Sequence, residues 1–174
     1  MTDTPALLRG TPLITPRLLL IPTTRAHLLA ERDAPQQLPA LIGAAGVDPT
    51  WQPLPPRALE WMLNRVEERE WPTMNVVTRA ERQLIGGCGY KNTPEFAFGE
   101  VEIGYGIAPA QHGKGYATEF VRALVEAAFT ATDLTRLIAY TEPENAASQR
   151  VLTKNGFVCN GIADNQQWRF SRER

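Results

Sequence analysis

Cysteine is scarce in this chain: two in 174 residues, Cys88 and Cys159. That is too few for a disulfide framework and fits a reducing compartment. Histidine is as rare, with two residues. Charge of either sign is lacking in excess. The net charge is −1 and the isoelectric point is near 6.1, so no global attraction draws the chain to nucleic acid or anionic lipid. Long apolar runs are missing too. Leu18-Leu19-Leu20-Ile21 stops at Pro22, too short for a membrane span or a signal core. No internal repeat or low-complexity segment occurs. A cytoplasmic protein that binds neither nucleic acid nor membrane is the expectation.

What remains has ordinary globular proportions, 43% hydrophobic and 21% charged. The length suits one domain, 1–174, with residues 1–12 as a loose arm. Periodicity and turn signals predict strands over 17–21, 74–78, 84–90, 100–107, 137–141, 157–161 and 167–170. They predict helices from Thr23 or Thr24 to Asp33, more weakly over 35–45, then over 57–70, 118–129 and 146–154. Residues 46–56 and 91–99 read as loops. Gly86, Gly87 and Gly89 suggest a bulge or close packing in the third strand. The order implies a mixed α/β or α+β domain around one large sheet.

The most informative stretch is Gln111-His112-Gly113-Lys114-Gly115-Tyr116-Ala117, between the fourth strand and the long helix. A glycine-rich turn opening a helix suits phosphate. Glycines permit close backbone approach, and first-turn N–H groups face the anion with about half a unit of positive charge. The stretch is not a magnesium-nucleotide loop, because Tyr116 replaces the required hydroxyl after Gly-Lys. It also lacks the third glycine of a dinucleotide loop. No metal is expected.

Three segments together resemble the GNAT superfamily of N-acetyltransferases, over roughly residues 13–160. Ile103-Gly104-Tyr105-Gly106-Ile107 through Ala117 resembles its acetyl-CoA motif. Glu144-Asn145-Ala146-Ala147-Ser148, continuing through Leu152 to Phe157, resembles its second motif. Thr15-Pro16-Arg17-Leu18-Leu19-Leu20 is similar to the first strand of the ribosomal-protein alanine N-acetyltransferase branch. The resemblance implies a mostly antiparallel sheet flanked by helices and splayed between the fourth and fifth strands, with acetyl-CoA in the splay. A primary amine, on a protein N-terminus or a small molecule, attacks directly in a ternary complex. A CoA-binding sensor that has lost catalysis is the rival reading, and a monomer or homodimer is expected.

Residue roles follow from the resemblance. Ile107, His112, Gly113, Lys114, Gly115, Tyr116, Ala117 and Asn145 are the expected cofactor-binding residues. His112 stands where the family has Gln or Arg, so CoA affinity is expected to gain some pH dependence, unless this is a loop histidine without a role. Asn145 also suits a helix N-cap. Glu102, a carboxylate in an apolar strand, is the expected base, directly or through water. The alternative is an ordinary carboxylate on the solvent side, like Glu100. Leu152 occupies the place of the family's usual tyrosine acid. Ser148 is therefore the expected proton donor to the thiolate, ahead of Tyr116 and Tyr140. Cys88 and Cys159 read as small core residues rather than nucleophiles. Trp51, Trp61 and Trp71 fall in the region that covers the acceptor site in relatives; Trp61, off the apolar stripe, is expected either to face the acceptor, a lid or a partner subunit, or to pack beneath a neighbouring loop.

Overall fold

The computed structural model describes residues 10–67, 71–91 and 99–174. Most of the expected arm, the end of the 57–70 helix and most of the 91–99 loop lie outside the described residues. The chain runs β1 (Leu13–Ile14), β2 (Leu18–Pro22), α1 (Arg25–Asp33), a 3-10 turn (Pro35–Gln37), α2 (Leu38–Leu41), β3 (Gly46–Val47) and α3 (Pro56–Leu63). Next come β4 (Thr73–Thr78), β5 (Gln83–Lys91), β6 (Glu100–Ile107), a second 3-10 turn (Pro109–Gln111) and α4 (Tyr116–Ala131). β7 (Arg136–Thr141), α5 (Ala146–Lys154), β8 (Val158–Ile162) and β9 (Trp168–Glu173) complete it. The short strands β1 and β3 went unread, so the expected fourth and fifth strands are β6 and β7.

One sheet carries the order β1-β2-β4-β5-β6-β7-β9-β8, with β3 beside β5. Pairing is antiparallel except at β3–β5 and β6–β7. The β6–β7 ladder holds only from Glu100↔Arg136 to Glu102↔Ile138. Beyond it the strands diverge, leaving the facing edges of 103–107 and 139–141 outside that ladder. This is the splay.

Local chemistry accounts for the elements around it. Thr24 caps α1, its hydroxyl accepting from the His27 N–H while the His27 ring accepts from the Thr24 N–H. On α4, Phe120, Val121, Leu124, Val125 and Ala128 form one buried stripe against the sheet. The predicted glycine irregularity in β5 is present. Pairing with β4 shifts between Val76 and Val77, and a Cβ at Gly89 would lie 2.5 Å from the Thr73 Cα. Gly156, at φ +79°, ends α5 as expected.

Two expectations about side chains change. Trp71 is a core residue, 4.8 Å from the Tyr90 ring, not part of the acceptor region. Cys159 is exposed on β8, the sheet's edge strand, where Val158 and Asn160 beside it are exposed as well. Among the described residues no helix is long and apolar enough to cross a membrane.

Candidate active site

Two cavities open at the splay. A groove of about 380 Å³ runs along the glycine loop and α5. A larger cavity of about 830 Å³ lies over the sheet beneath α1, α3 and the Trp51 loop. Both are lined by Tyr105, Gly106, Asn145 and Ser148, so the two spaces meet at those four residues.

The groove is built for an anion. Gly113 and Gly115 have φ of +76° and +80°, a left-handed conformation that glycine adopts without a Cβ penalty. Gly115 is the N-cap of α4, which offers the first-turn N–H groups of a sixteen-residue helix. Nothing lies within 4 Å of where a Gly113 Cβ would stand. Ile107, His112, Gly113, Gly115, Tyr116, Ala117 and Asn145 line the groove. Lys114 does not: its ammonium turns back to Gln111 Oε1 at 2.9 Å, and its carbonyl accepts from Arg17 at 2.9 Å. The groove's cations are instead Arg150 and Lys154, one turn apart on α5. Sequence reasoning missed this i, i+4 pair, although its spacing on the helix after Asn145 was visible.

His112 is exposed, with Nε2 3.1 Å from the Ile107 carbonyl. Its ring thus closes the strand-to-loop corner. Tyr116 packs under the Arg17 guanidinium, 4.5 Å from its ring centroid. Asn145 caps α5 through Oδ1, accepting from the Ser148 N–H at 3.0 Å. Asn145 lines both cavities, and its amide nitrogen has no protein partner among the described residues.

Ser148 brings a residue that sequence reasoning had not assigned a role. Its Oγ lies 2.7 Å from the Tyr105 hydroxyl, which is also 3.3 Å from the Ser148 carbonyl. Tyr105 packs edge-on to Phe120, with centroids 5.7 Å apart. Burial pushes its pKa up to about 12, against the opposing effect of the Ser148 bond. The phenol therefore holds its proton at neutral pH. Leu152 is fully buried in the core, so no hydroxyl comes from that position. Tyr140 lines the larger cavity.

Glu100 and Glu102 are both buried, contrary to a solvent-side reading. Glu102 is ion-paired with Lys91; Lys91 and Gly104 line the cavity, but Glu102 itself does not. Glu100 pairs with Arg136 and with Arg169 at 2.9 Å. Burial opposes its ionisation, yet the two guanidinium groups hold its carboxyl below the ordinary value. Cys88 also lines the cavity. Burial drives its thiol far above the ordinary range, which removes thiolate nucleophilicity.

Trp51 and Trp61 line the larger cavity as expected. A Cβ at Gly106 would meet the Trp51 ring at 3.8 Å, and one at Gly87 at 4.0 Å, so this cross-strand glycine pair seats the indole. The Trp51 loop is pinned to the cofactor loop. Asp48 accepts from Gln111 Nε2 at 2.6 Å and from Thr50, whose hydroxyl accepts from the Ala110 N–H at 3.1 Å. The Gln111 bond and then the Thr50 bonds hold the Asp48 carboxyl below its ordinary value.

These features fit a CoA thioester. Positive-φ glycines and a helix N-terminus suit a pyrophosphate, two cations suit further phosphate, and the opened strand edges suit an amide-bearing arm. The Thr141 hydroxyl, buried on β7 at the splay, has no partner among the described residues.

Comparison with known proteins agrees. The chain is 37% identical over 99 residues to the probable N-acetyltransferase YjcK of Bacillus subtilis, covering 57% of this chain and 55% of that one. It spans about half the length of the curated relatives it matches. Among solved structures, a putative ribosomal-protein-serine acetyltransferase from Vibrio cholerae superimposes with TM-score 0.70 at 20% identity, covering 95% and 99% of the two chains. Mycobacterium smegmatis RimJ, solved in complex with CoA-disulfide, gives TM-score 0.65 at 20% identity over 94% and 86%. The acetyltransferase (GNAT) domain profile matches residues 17–158, and the chain belongs to that family.

Proposed function

We propose that this single domain is an N-acetyltransferase moving an acetyl group from acetyl-CoA to a primary amine. The observation that carries this reading is the meeting of two cavities, one suited to phosphate and one largely apolar, at Tyr105, Gly106, Asn145 and Ser148. That junction is where a thioester held in the groove and an amine held in the cavity would touch. It favours turnover over a CoA-binding module that has lost catalysis. The names of the relatives point the same way.

In this reading the neutral amine attacks the thioester carbonyl, the carbon–sulfur bond breaks, and the amine's surplus proton leaves. Glu102 takes that proton through water, since its carboxylate lies one step behind the cavity lining. Strand-edge N–H groups at the splay stabilise the oxyanion. Ser148 donates a hydrogen bond to the departing thiolate, which leaves as the anion and is protonated from solvent, with Tyr105 fixing the serine hydroxyl. The glycine loop, Tyr116, Ala117, Asn145, Arg150 and Lys154 hold the CoA. His112 acts through the Ile107 carbonyl, shaping the corner where the loop leaves the strand.

The test is acceptor-dependent thiol release from acetyl-CoA across N-terminal peptides, polyamines and aminoglycosides, alongside calorimetric titration with CoA. Absence of CoA binding sinks the reading. Glu102→Gln is expected to cut turnover about a hundredfold while sparing CoA affinity; unchanged turnover removes Glu102 from its role.

A further inference from the structure

Two carboxylates line the larger cavity without a use in the chemistry above: Glu142, exposed and accepting from Gln167 at 2.8 Å, and the more buried Glu31. Glu31, on α1, is half-buried and lines the cavity. Its Oε1 accepts from the Leu54 N–H at 2.8 Å. Among the described residues its other oxygen has no partner and no cation pairs with it, although Arg57 lines the same cavity. The contrast with other inward carboxylates is plain. Glu100 has Arg136 and Arg169, Glu102 has Lys91, and Glu119 has Arg17.

The surroundings make an unpaired carboxylate costly. Leu28, Trp51, Leu54, Trp61, Met62 and Met74 form much of the wall, and a charge in such a space is unfavourable unless a cation meets it. Burial raises the Glu31 carboxyl's pKa, against the Leu54 bond, which lowers it. A second group points to the same space: Thr141, 4% exposed, lines this cavity at the splay, and its hydroxyl has no partner among the described residues. An unpaired carboxylate oxygen and a hydroxyl with no partner among the described residues thus share one largely apolar cavity, where a ligand can meet both. The wall between them is continuous. Trp51 lies over Gly106 at the junction, and Leu54, three residues on, bonds Glu31.

We propose that Glu31 anchors a second cationic group of the acceptor, which is a small diamine with an apolar or aromatic body between its two nitrogens. One amine reaches the junction at Tyr105 and Ser148; the other pairs with the free oxygen of Glu31; the body packs along Trp51 and Leu54. The cavity volume of about 830 Å³ takes such a molecule whole. A linear polyamine would meet the apolar walls only with thin methylene runs and a third cation, covering less of them than a ring does. This inference rests on the acetyltransferase reading for the word acceptor, but the ligand class is tested apart from it.

Trp51 and Trp61 make the cavity report on itself through intrinsic fluorescence. Titration of the full chain with p-xylylenediamine, benzylamine, spermidine and a short N-terminal peptide compares two cations on a ring, one cation on a ring, cations without a ring, and a peptide. The diamine is expected to bind about tenfold or more tightly than benzylamine, the scale of a charge-assisted bond, and more tightly than spermidine or the peptide. In Glu31→Gln, which keeps the Leu54 N–H satisfied, the diamine's advantage over benzylamine should collapse toward one. In steady-state thiol release the variant's loss should appear in KM for the diamine rather than in kcat. Equal wild-type affinities for diamine and benzylamine, a better-bound spermidine or peptide, or an advantage that survives Glu31→Gln each overturn the inference. A loss confined to kcat does so as well, since it makes Glu31 a base. Diamine binding that depends on Glu31 without thiol release would uphold the ligand class and sink the acetyltransferase reading instead.

Discussion

Tyr105 and Ser148 share a hydroxyl–hydroxyl bond of 2.7 Å at the mouth of both cavities. A serine hydroxyl rotates freely unless something fixes it, and the phenol, protonated at neutral pH, does so. Tyr105→Phe should lower kcat about tenfold, the scale of one lost hydrogen bond, with CoA affinity unchanged by calorimetry. Ser148→Ala should lose more, because it removes the donor itself. Equal losses in both variants would shift the donor role to Tyr105. The serine was legible as a candidate because it stands one turn after Asn145. Tyr105 was not: its neighbours Gly104 and Gly106 mark a strand, and only the divergence of β6 from β7 turns its side chain into a site. Glu102 shows the opposite failure. A carboxylate in an apolar strand signals burial correctly, but its ion pair with Lys91, eleven residues away on the neighbouring strand, cannot be read from spacing.

The glycine loop and α4 behave as one element. Gly113 and Gly115 sit at positive φ, where a Cβ costs about 1–2 kcal/mol. Gly115→Ala should therefore lower the melting temperature and also weaken CoA binding, because the first-turn N–H groups lose their aim. At Gly113, with open space around it, alanine meets only the backbone penalty. A thermal melt paired with CoA titration separates the two effects, and CoA binding untouched by Gly115→Ala would refute the anion role of the turn. This element was the most legible part of the chain, since local rules alone specify a strand, a glycine turn and an apolar stripe at helical spacing. The edges of the sheet were the least legible. β1 and β3 are two residues each, too short to show any period, and β8 turns Val158 and Cys159 outward where an apolar run suggests burial.

At the scale of the whole molecule, carboxylates tie distant parts of the chain together. Glu119 on α4 accepts from the Thr15 hydroxyl at 2.5 Å, the Arg17 N–H at 2.9 Å and the Arg17 side chain at 2.6 Å, binding the first strands to the long helix. Burial opposes its ionisation, but those bonds hold the carboxyl below its ordinary 4.5. Glu100 is held below the same value at the root of the splay. A carboxyl depressed in the fold contributes stability that is complete above its unfolded pKa and is lost as pH falls through the lowered folded value. The part of the urea midpoint that these two carboxyls supply should thus be constant above about pH 5 and fall below it, and Glu119→Gln should shrink that fall. An acid slope identical to wild type would refute the linkage. None of these ties shows in the sequence, because each joins residues far apart along the chain.

The bond from Gln111 to Asp48 carries a consequence of another kind. It fastens the loop that presents Trp51 to the glycine loop, so the residues proposed to meet the acceptor and those proposed to hold the cofactor are inherited as one block. Divergence of specificity by redrawing residues 46–56 alone would drag the cofactor loop with it. Descendants of this chain are expected to change Asp48 and Gln111 together or not at all, and a chimera that imports a foreign 46–56 segment should recover full CoA affinity only when its own partner for position 48 comes along.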